Sequence, residues 1–147
     1  MEIYFDTCCY NRPYDDQMQS KVRMESEAVK NIVKLAQWYG YTIFGSKTLE
    51  IEIGRISDLR KYNDVLGFYR RTVTDRAYLK KNVFEQIAPM ALQAGIRGLD
   101  VFHLCFSVSA EADYLVTADD GFLKVASRMN LPIEVINPVH FPLGGVI

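Results

Sequence analysis

Four short apolar runs are separated by longer stretches with helical periodicity. They are Glu2–Asp6 (EIYFD), Tyr41–Phe44 (YTIF), Asp113–Thr117 (DYLVT) and Ile133–Ile136 (IEVI). This alternation constrains the fold more than any other feature of the chain. A parallel neighbour is reached only through a crossover long enough for a helix, so strands spaced by helices pair in parallel. The expected class is α/β, in three layers: a central, mostly parallel sheet of four to five strands with helices on both faces.

Asn11-Arg12-Pro13 breaks the chain after the first strand, and a helix is predicted over Asp16–Tyr39. Its apolar residues Val22, Ala28, Val29, Ile32, Val33, Leu35 and Ala36 mostly share one stripe, and Gly40 ends it. Ser46 is suited to cap a helix over Lys47–Ser57, with another over Asp58–Arg71. Arg76–Leu79 reads as a weak edge strand, Asn82–Gln93 as a helix ending at Gly95, and Leu99–Ala112 as a largely buried helix. A last helix is expected over Gly121–Met129, and Pro138 closes the final strand. No repeat, low-complexity tract or Pro/Gly-rich linker divides the chain, so one domain over 1–147 is expected. A domain of this length buries roughly 68–70% of its unfolded surface and folds without a metal or disulfide.

Composition removes several classes. With 49% apolar and 12% aromatic residues the chain is not disordered. No run approaches ~18 apolar residues, so no membrane span is expected. Glu2 and Asp6 stand where a secretory signal carries basic residues. Cys8, Cys9 and Cys105 include no CxxC, which argues against a disulfide framework or a zinc site and for a cytoplasmic protein with reduced thiols. The net charge is only −1, but residues 55–81 hold eight basic side chains against three acidic ones, leaving an acidic remainder. A basic middle beside an acidic remainder can hold a phosphate backbone over a cation, or can be a solvated helix surface.

In parallel α/β folds the working site lies at the carboxyl ends of the strands. Carboxylates stand at each such place: Asp6 ends the first strand, Asp119 and Asp120 follow DYLVT, and Asp100 opens the buried helix leading into it. Glu50 and Glu52 lie on the helix after the second strand. Carboxylates converging at one sheet edge repel unless protonated or bound to a cation, and hard oxygen donors suit Mg²⁺ or Mn²⁺. Asp100 and Asp119 also read as helix N-terminal caps, whereas Asp6, after Ile3, Tyr4 and Phe5, is poorly solvated without a partner. Helix geometry favours Glu52 over Glu50 only slightly, since both border the stripe Leu49, Ile53, Ile56; Glu50 reads as solvated.

The opening Tyr4-Phe5-Asp6-Thr7-Cys8-Cys9-Tyr10-Asn11-Arg12-Pro13-Tyr14-Asp15-Asp16 resembles that of bacterial PIN-domain proteins. Ser46-Lys47-Thr48-Leu49-Glu50-Ile51-Glu52 is similar to their second motif, a Ser followed six residues later by the acid. Leu99-Asp100-Val101-Phe102-His103-Leu104 and Asp113-Tyr114-Leu115-Val116-Thr117-Ala118-Asp119-Asp120 look like the third and fourth. The resemblance covers nearly the whole chain with all four acids in order. It implies a PIN-like fold and a Mg²⁺- or Mn²⁺-dependent ribonuclease of the kind found as toxins of type II toxin–antitoxin pairs. Asp6, Glu52, Asp100 and Asp119 would be the catalytic acids. Asp6, Asp100 and Asp119 would hold metal, with Asp6 and Asp100 the direct ligands. RNA is the implied substrate, single-stranded because splayed strands expose their backbone. An antitoxin protein is the implied partner, and homodimers are common in the family.

Thr7, Ser46 and Thr117 can orient ligands or phosphate, or serve as caps and turn formers. His103 lies three residues after Asp100 on one helical face, placed to orient that carboxylate, to donate to substrate or to be a satisfied core histidine. Asp120 is a weaker candidate than Asp119, on which the motif position falls. Two other readings compete: a non-catalytic PIN-fold interaction module and a metal-dependent phosphatase. The intact acids argue against the first. Asp6-Thr7-Cys8, without the second aspartate of aspartyl-phosphate phosphatases, argues against the other.

Overall fold

The computed structural model describes residues 1–143. Five strands, β1 (Glu2–Phe5), β2 (Thr42–Gly45), β3 (Asp75–Arg76), β4 (Tyr114–Val116) and β5 (Glu134–Ile136), form one sheet in the order β3-β2-β1-β4-β5. Every pairing is parallel, with Tyr4 opposite Phe44 on one side and Leu115 on the other. The α/β class, the strand count and the layered arrangement agree with expectation. β1 is central, and the chain leaves it for β2 on one side and later returns to β4 on the other. Right-handed crossovers place the helices serving β1→β2→β3 on one face and those serving β3→β4→β5 on the opposite face. The reversal of strand order at β1 makes the crevice at its carboxyl end, beside β4, the place for a ligand.

Seven helices connect the strands: α1 (Thr7–Asn11), α2 (Ser20–Tyr39), α3 (Lys47–Gly54), α4 (Leu59–Thr72), α5 (Lys81–Ala94), α6 (Leu99–Ser109) and α7 (Asp120–Ala126). α2 ends at Gly40, whose φ of 70° is the left-handed conformation that glycine adopts without a Cβ penalty. Ser46 caps α3 as expected, its Oγ accepting from the Leu49 N–H at 3.2 Å. The core runs across β1, β2 and β4 through Ile3, Phe5, Ile43 and Leu115 to Val29 and Ile32 of α2 and Leu104 and Cys105 of α6, all within 1% of full burial. None of the described helices is long and apolar enough to cross a membrane.

The main departure lies immediately after β1. The strand stops at Phe5, Asp6 becomes the N-cap of α1, and Arg12–Tyr14 continues as a 3₁₀ turn with Pro13 near its start. Thr, Cys and Asn are poor helix formers, so propensity does not announce α1. Tertiary burial of Cys9 and Tyr10, both 0% exposed, holds it. At the sheet edge, β3 shortens to Asp75–Arg76, ahead of the expected Arg76–Leu79. Gly45 ends β2 under the Tyr69 ring: a Cβ there would overlap the phenol oxygen and stand 2.9 Å from Val73 Cγ1, so only glycine fits.

Candidate metal centre

Asp6 sits 5% exposed at the mouth of the switch-point crevice. Its carboxylate accepts the Thr7 N–H at 2.7 Å on Oδ1 and the Thr117 hydroxyl at 2.8 Å on Oδ2. Thr117 follows β4 at once and also accepts the Asp119 N–H at 3.1 Å, so one buried hydroxyl ties β1's terminal acid to the turn carrying Asp119. The Cys8 thiol, 3.4 Å from Asp6 Oδ2, accepts the Ala118 N–H at 3.2 Å and packs the same turn from the α1 side.

Asp100, in the first turn of α6, and His103, one turn on, face this carboxylate. Asp6, Asp100 and His103 each offer a ligand atom, and these atoms all lie within 4.8 Å of one another. Burial pushes the Asp100 carboxyl up to about 6, and the charge of Asp6 adds to it, with smaller contributions from Asp119 and Glu52 and opposition from His103. Negative charge is thus concentrated beyond what the neighbouring side chains neutralise. Two hard carboxylates this close together suit a divalent cation, which would supply the missing positive charge.

His103 is fully buried and joined on both nitrogens. Nε2 bonds Glu52 Oε1 and lies 3.3 Å from Asp6 Oδ1, while Nδ1 lies 2.8 Å from the Tyr4 hydroxyl. Burial lowers its pKa, but the hydrogen bond to Glu52 and the charge of Asp6 outweigh that, and the net shift is upward. Glu52 moves the opposite way: burial raises its pKa, but the bonds from His103 and from the Thr7 hydroxyl, at 2.8 Å, carry it below the usual value. Glu52 is therefore a paired carboxylate within the site.

The other sequence candidates fall outside that core. Asp119 is exposed; it caps α7 through Oδ1, which accepts the Phe122 N–H at 3.0 Å, and it is near enough for its charge to act on Asp100. Asp120 is 71% exposed and lies 3.7 Å from Lys21 Nζ. Glu50, expected to be solvated, instead pairs with Arg76 and accepts the Tyr69 hydroxyl at 3.1 Å. The reason is that β2–β3 pairing sets Gly45 beside Arg76, which brings that guanidinium over α3. Within the basic middle of the sequence, Lys61 is likewise paired, with Asp15 at 2.8 Å. A cavity of about 250 Å³ opens beside Asp100, lined by Gly95, Ile96, Arg97, Gly121, Phe122 and Val125.

Sequence reasoning missed three contributors. Tyr4 lies two residues before Asp6 and so on the same side of the extended chain, a spacing that signals a shared neighbour. Cys8 gave no signal beyond adjacency. Lys21 reaches the Ala118 carbonyl at 3.3 Å and the Glu25 carboxylate at 2.9 Å, and only the fold brings it to the turn holding Asp119.

No protein-family model matches the chain, and no curated protein matches its sequence. Among solved structures it is similar to a chain in the crystal structure of VapBC2 from Rickettsia felis bound to a DNA fragment from their promoter. The TM-score is 0.66 over 93% of this chain and 98% of that one, at 15% identity. The likeness at that identity is one of fold, and the fold is PIN-like.

Proposed function

We propose that this chain is a metal-dependent endoribonuclease of the PIN family, hydrolysing phosphodiester bonds of single-stranded RNA in the cytoplasm. The observation that carries this reading is the meeting of Asp6 and Asp100, from distant parts of the sequence, with their ligand atoms and that of His103 within 4.8 Å. The four motif acids and the fold shared with VapBC2 support it. Asp6 and Asp100 would hold Mg²⁺ or Mn²⁺ directly, with Asp119 offering its uncapped oxygen at the exposed rim. A divalent ion held there would supply a water of lowered pKa and polarise a phosphoryl oxygen.

The chain's own residues supply orientation and charge. Thr7 and Thr117 fix the Asp6 carboxylate from two sides, so it presents its oxygens without reorganising. Glu52, held by His103 and Thr7, keeps negative charge at the inner wall. Arg97 lines the cavity beside Asp100 with its Nη1 donating to the Leu92 and Ile96 carbonyls, and its remaining N–H groups would be offered to a phosphate of the strand. Ser46 acts by capping the helix that carries Glu52, and Asp120 by engaging Lys21 at the rim. VapBC2 is a complex bound to promoter DNA. By that likeness and the toxin resemblance, a protein partner of antitoxin type is the proposed regulator, and the chain would pair as a homodimer.

Purified protein is expected to cut end-labelled single-stranded RNA with Mn²⁺ or Mg²⁺, to stop in EDTA and to resume when the metal is restored. A labelled DNA of the same sequence reads the sugar preference. Absence of cleavage across a panel of RNAs with either metal, or cleavage indifferent to EDTA, would contradict the proposal.

A further inference from the structure

We infer that the Tyr4 hydroxyl is a positioning group that sets where Glu52 and His103 stand around Asp6. The inference rests on the acid pocket binding a divalent cation. Tyr4 is fully buried in the central strand, so its hydroxyl meets neither solvent nor substrate. Its oxygen lies 2.7 Å from Ser46 Oγ and 2.8 Å from His103 Nδ1. Ser46 caps α3, the helix carrying Glu52, and His103 lies on α6, the helix carrying Asp100. Tyr4 itself lies two residues before Asp6 on β1. A single oxygen thus joins the three elements that deliver Asp6, Glu52 and Asp100.

The geometry accounts for the orientation of the imidazole. Nε2 can face Glu52 and Asp6 only while Nδ1 is satisfied on the other side of the ring, and Tyr4 supplies that partner. The hydroxyl does so whichever way the protons run, since it can donate to one neighbour while accepting from the other. The rings of Tyr4 and His103 also pack edge to face with centroids 5.7 Å apart, a contact that phenylalanine is able to keep. Phenylalanine at position 4 therefore isolates the hydrogen bonds from the packing.

The control is internal. Tyr10 is also fully buried, and its hydroxyl has no hydrogen-bond partner among the described residues, so Tyr10→Phe removes a hydroxyl that holds none of the site's acids. Calorimetric titration with Mn²⁺ is expected to give a Kd about 10- to 100-fold weaker for Tyr4→Phe and unchanged for Tyr10→Phe. The ¹⁵N shifts of His103 should move in Tyr4→Phe alone. If Tyr4→Phe does not fold, Ser46→Ala removes the other end of the same chain and is expected to weaken Mn²⁺ in the same direction. Wild-type affinity in a folded Tyr4→Phe or Ser46→Ala protein overturns the inference while leaving the metal site standing. A wild-type protein that takes up no Mn²⁺ overturns both.

Discussion

Asp100→Asn is expected to abolish cleavage, by about 10³-fold or some 4 kcal/mol of transition-state stabilisation, and yet to raise the melting temperature in EDTA. The two effects share one cause. The Asp100 carboxyl, ordinarily near 3.8, titrates at about 6 in the folded protein, chiefly through burial and the charge of Asp6. Between about pH 4 and 6 the folded state then binds more protons than the unfolded chain, so stability without metal falls as pH rises through that window. Because the carboxyl is only half-buried, screening leaves a penalty of about 1–2 kcal/mol above pH 6, less than the full shift implies. Asparagine carries no charge to penalise. Thermal denaturation in EDTA at pH 7.5 should place the variant about 3–6 °C above wild type, with a flatter profile between pH 4 and 6. Saturating Mn²⁺ should reverse the order, since only wild type gains binding free energy. A variant that melts lower in EDTA would contradict an uncompensated charge at this position. One that still cuts RNA would remove Asp100 from the mechanism.

Glu25→Ala is expected to cost about 3–5 kcal/mol, lowering the melting temperature by about 10 °C. Glu25 is 2% exposed on α2 and accepts from Arg12 Nε at 2.9 Å, Lys21 Nζ at 2.9 Å and Asn137 Nδ2 at 2.6 Å. Those contacts tie α2 to the 3₁₀ turn after α1 and to the segment after β5. Removing the carboxylate leaves the Arg12 Nε–H and the buried Asn137 amide without an acceptor, with Arg12 keeping only its Nη1 bond to Asp15 at 2.9 Å. Burial raises the Glu25 pKa, but the hydrogen bonds from Lys21, Asn137 and Arg12 carry it below 4.5. A carboxylate with a depressed folded pKa contributes stability above its unfolded value and loses it as pH falls through the folded one. The gap between wild type and Glu25→Ala should therefore be full at pH 6 and shrink below about pH 4. A loss under about 1 kcal/mol, or a gap constant with pH, would show the cluster to be a solvated ion pair.

The sheet was legible because periodicity reports burial directly. The apolar runs in EIYFD and DYLVT mark the two strands that meet at the site, buried on both faces, and the strand-end rule places Asp6 and Asp119 there. Asp100 and His103 were legible as one helical face. What stayed hidden depends on contacts between distant segments. Helix α1 is short and built from weak helix formers, so its existence follows from packing rather than propensity. Glu50 and Glu52 flank the same apolar stripe from its two sides, so helix geometry alone favours Glu52 only slightly. The fold separates them by delivering Arg76 to one and His103 to the other. Glu25 could not be recognised as buried, because its partners Arg12 and Asn137 come from elements that the sequence does not show to be neighbours.

The central claim is that Asp6 and Asp100 jointly bind a divalent cation at the carboxyl end of β1. Crystals soaked in Mn²⁺ and measured at an energy where manganese scatters anomalously test it most directly. The account predicts a peak about 2.0–2.3 Å from a carboxylate oxygen of both residues, absent in Asp100→Asn. A fully soaked crystal with no peak between them, or with manganese only at other surface acids, would contradict it.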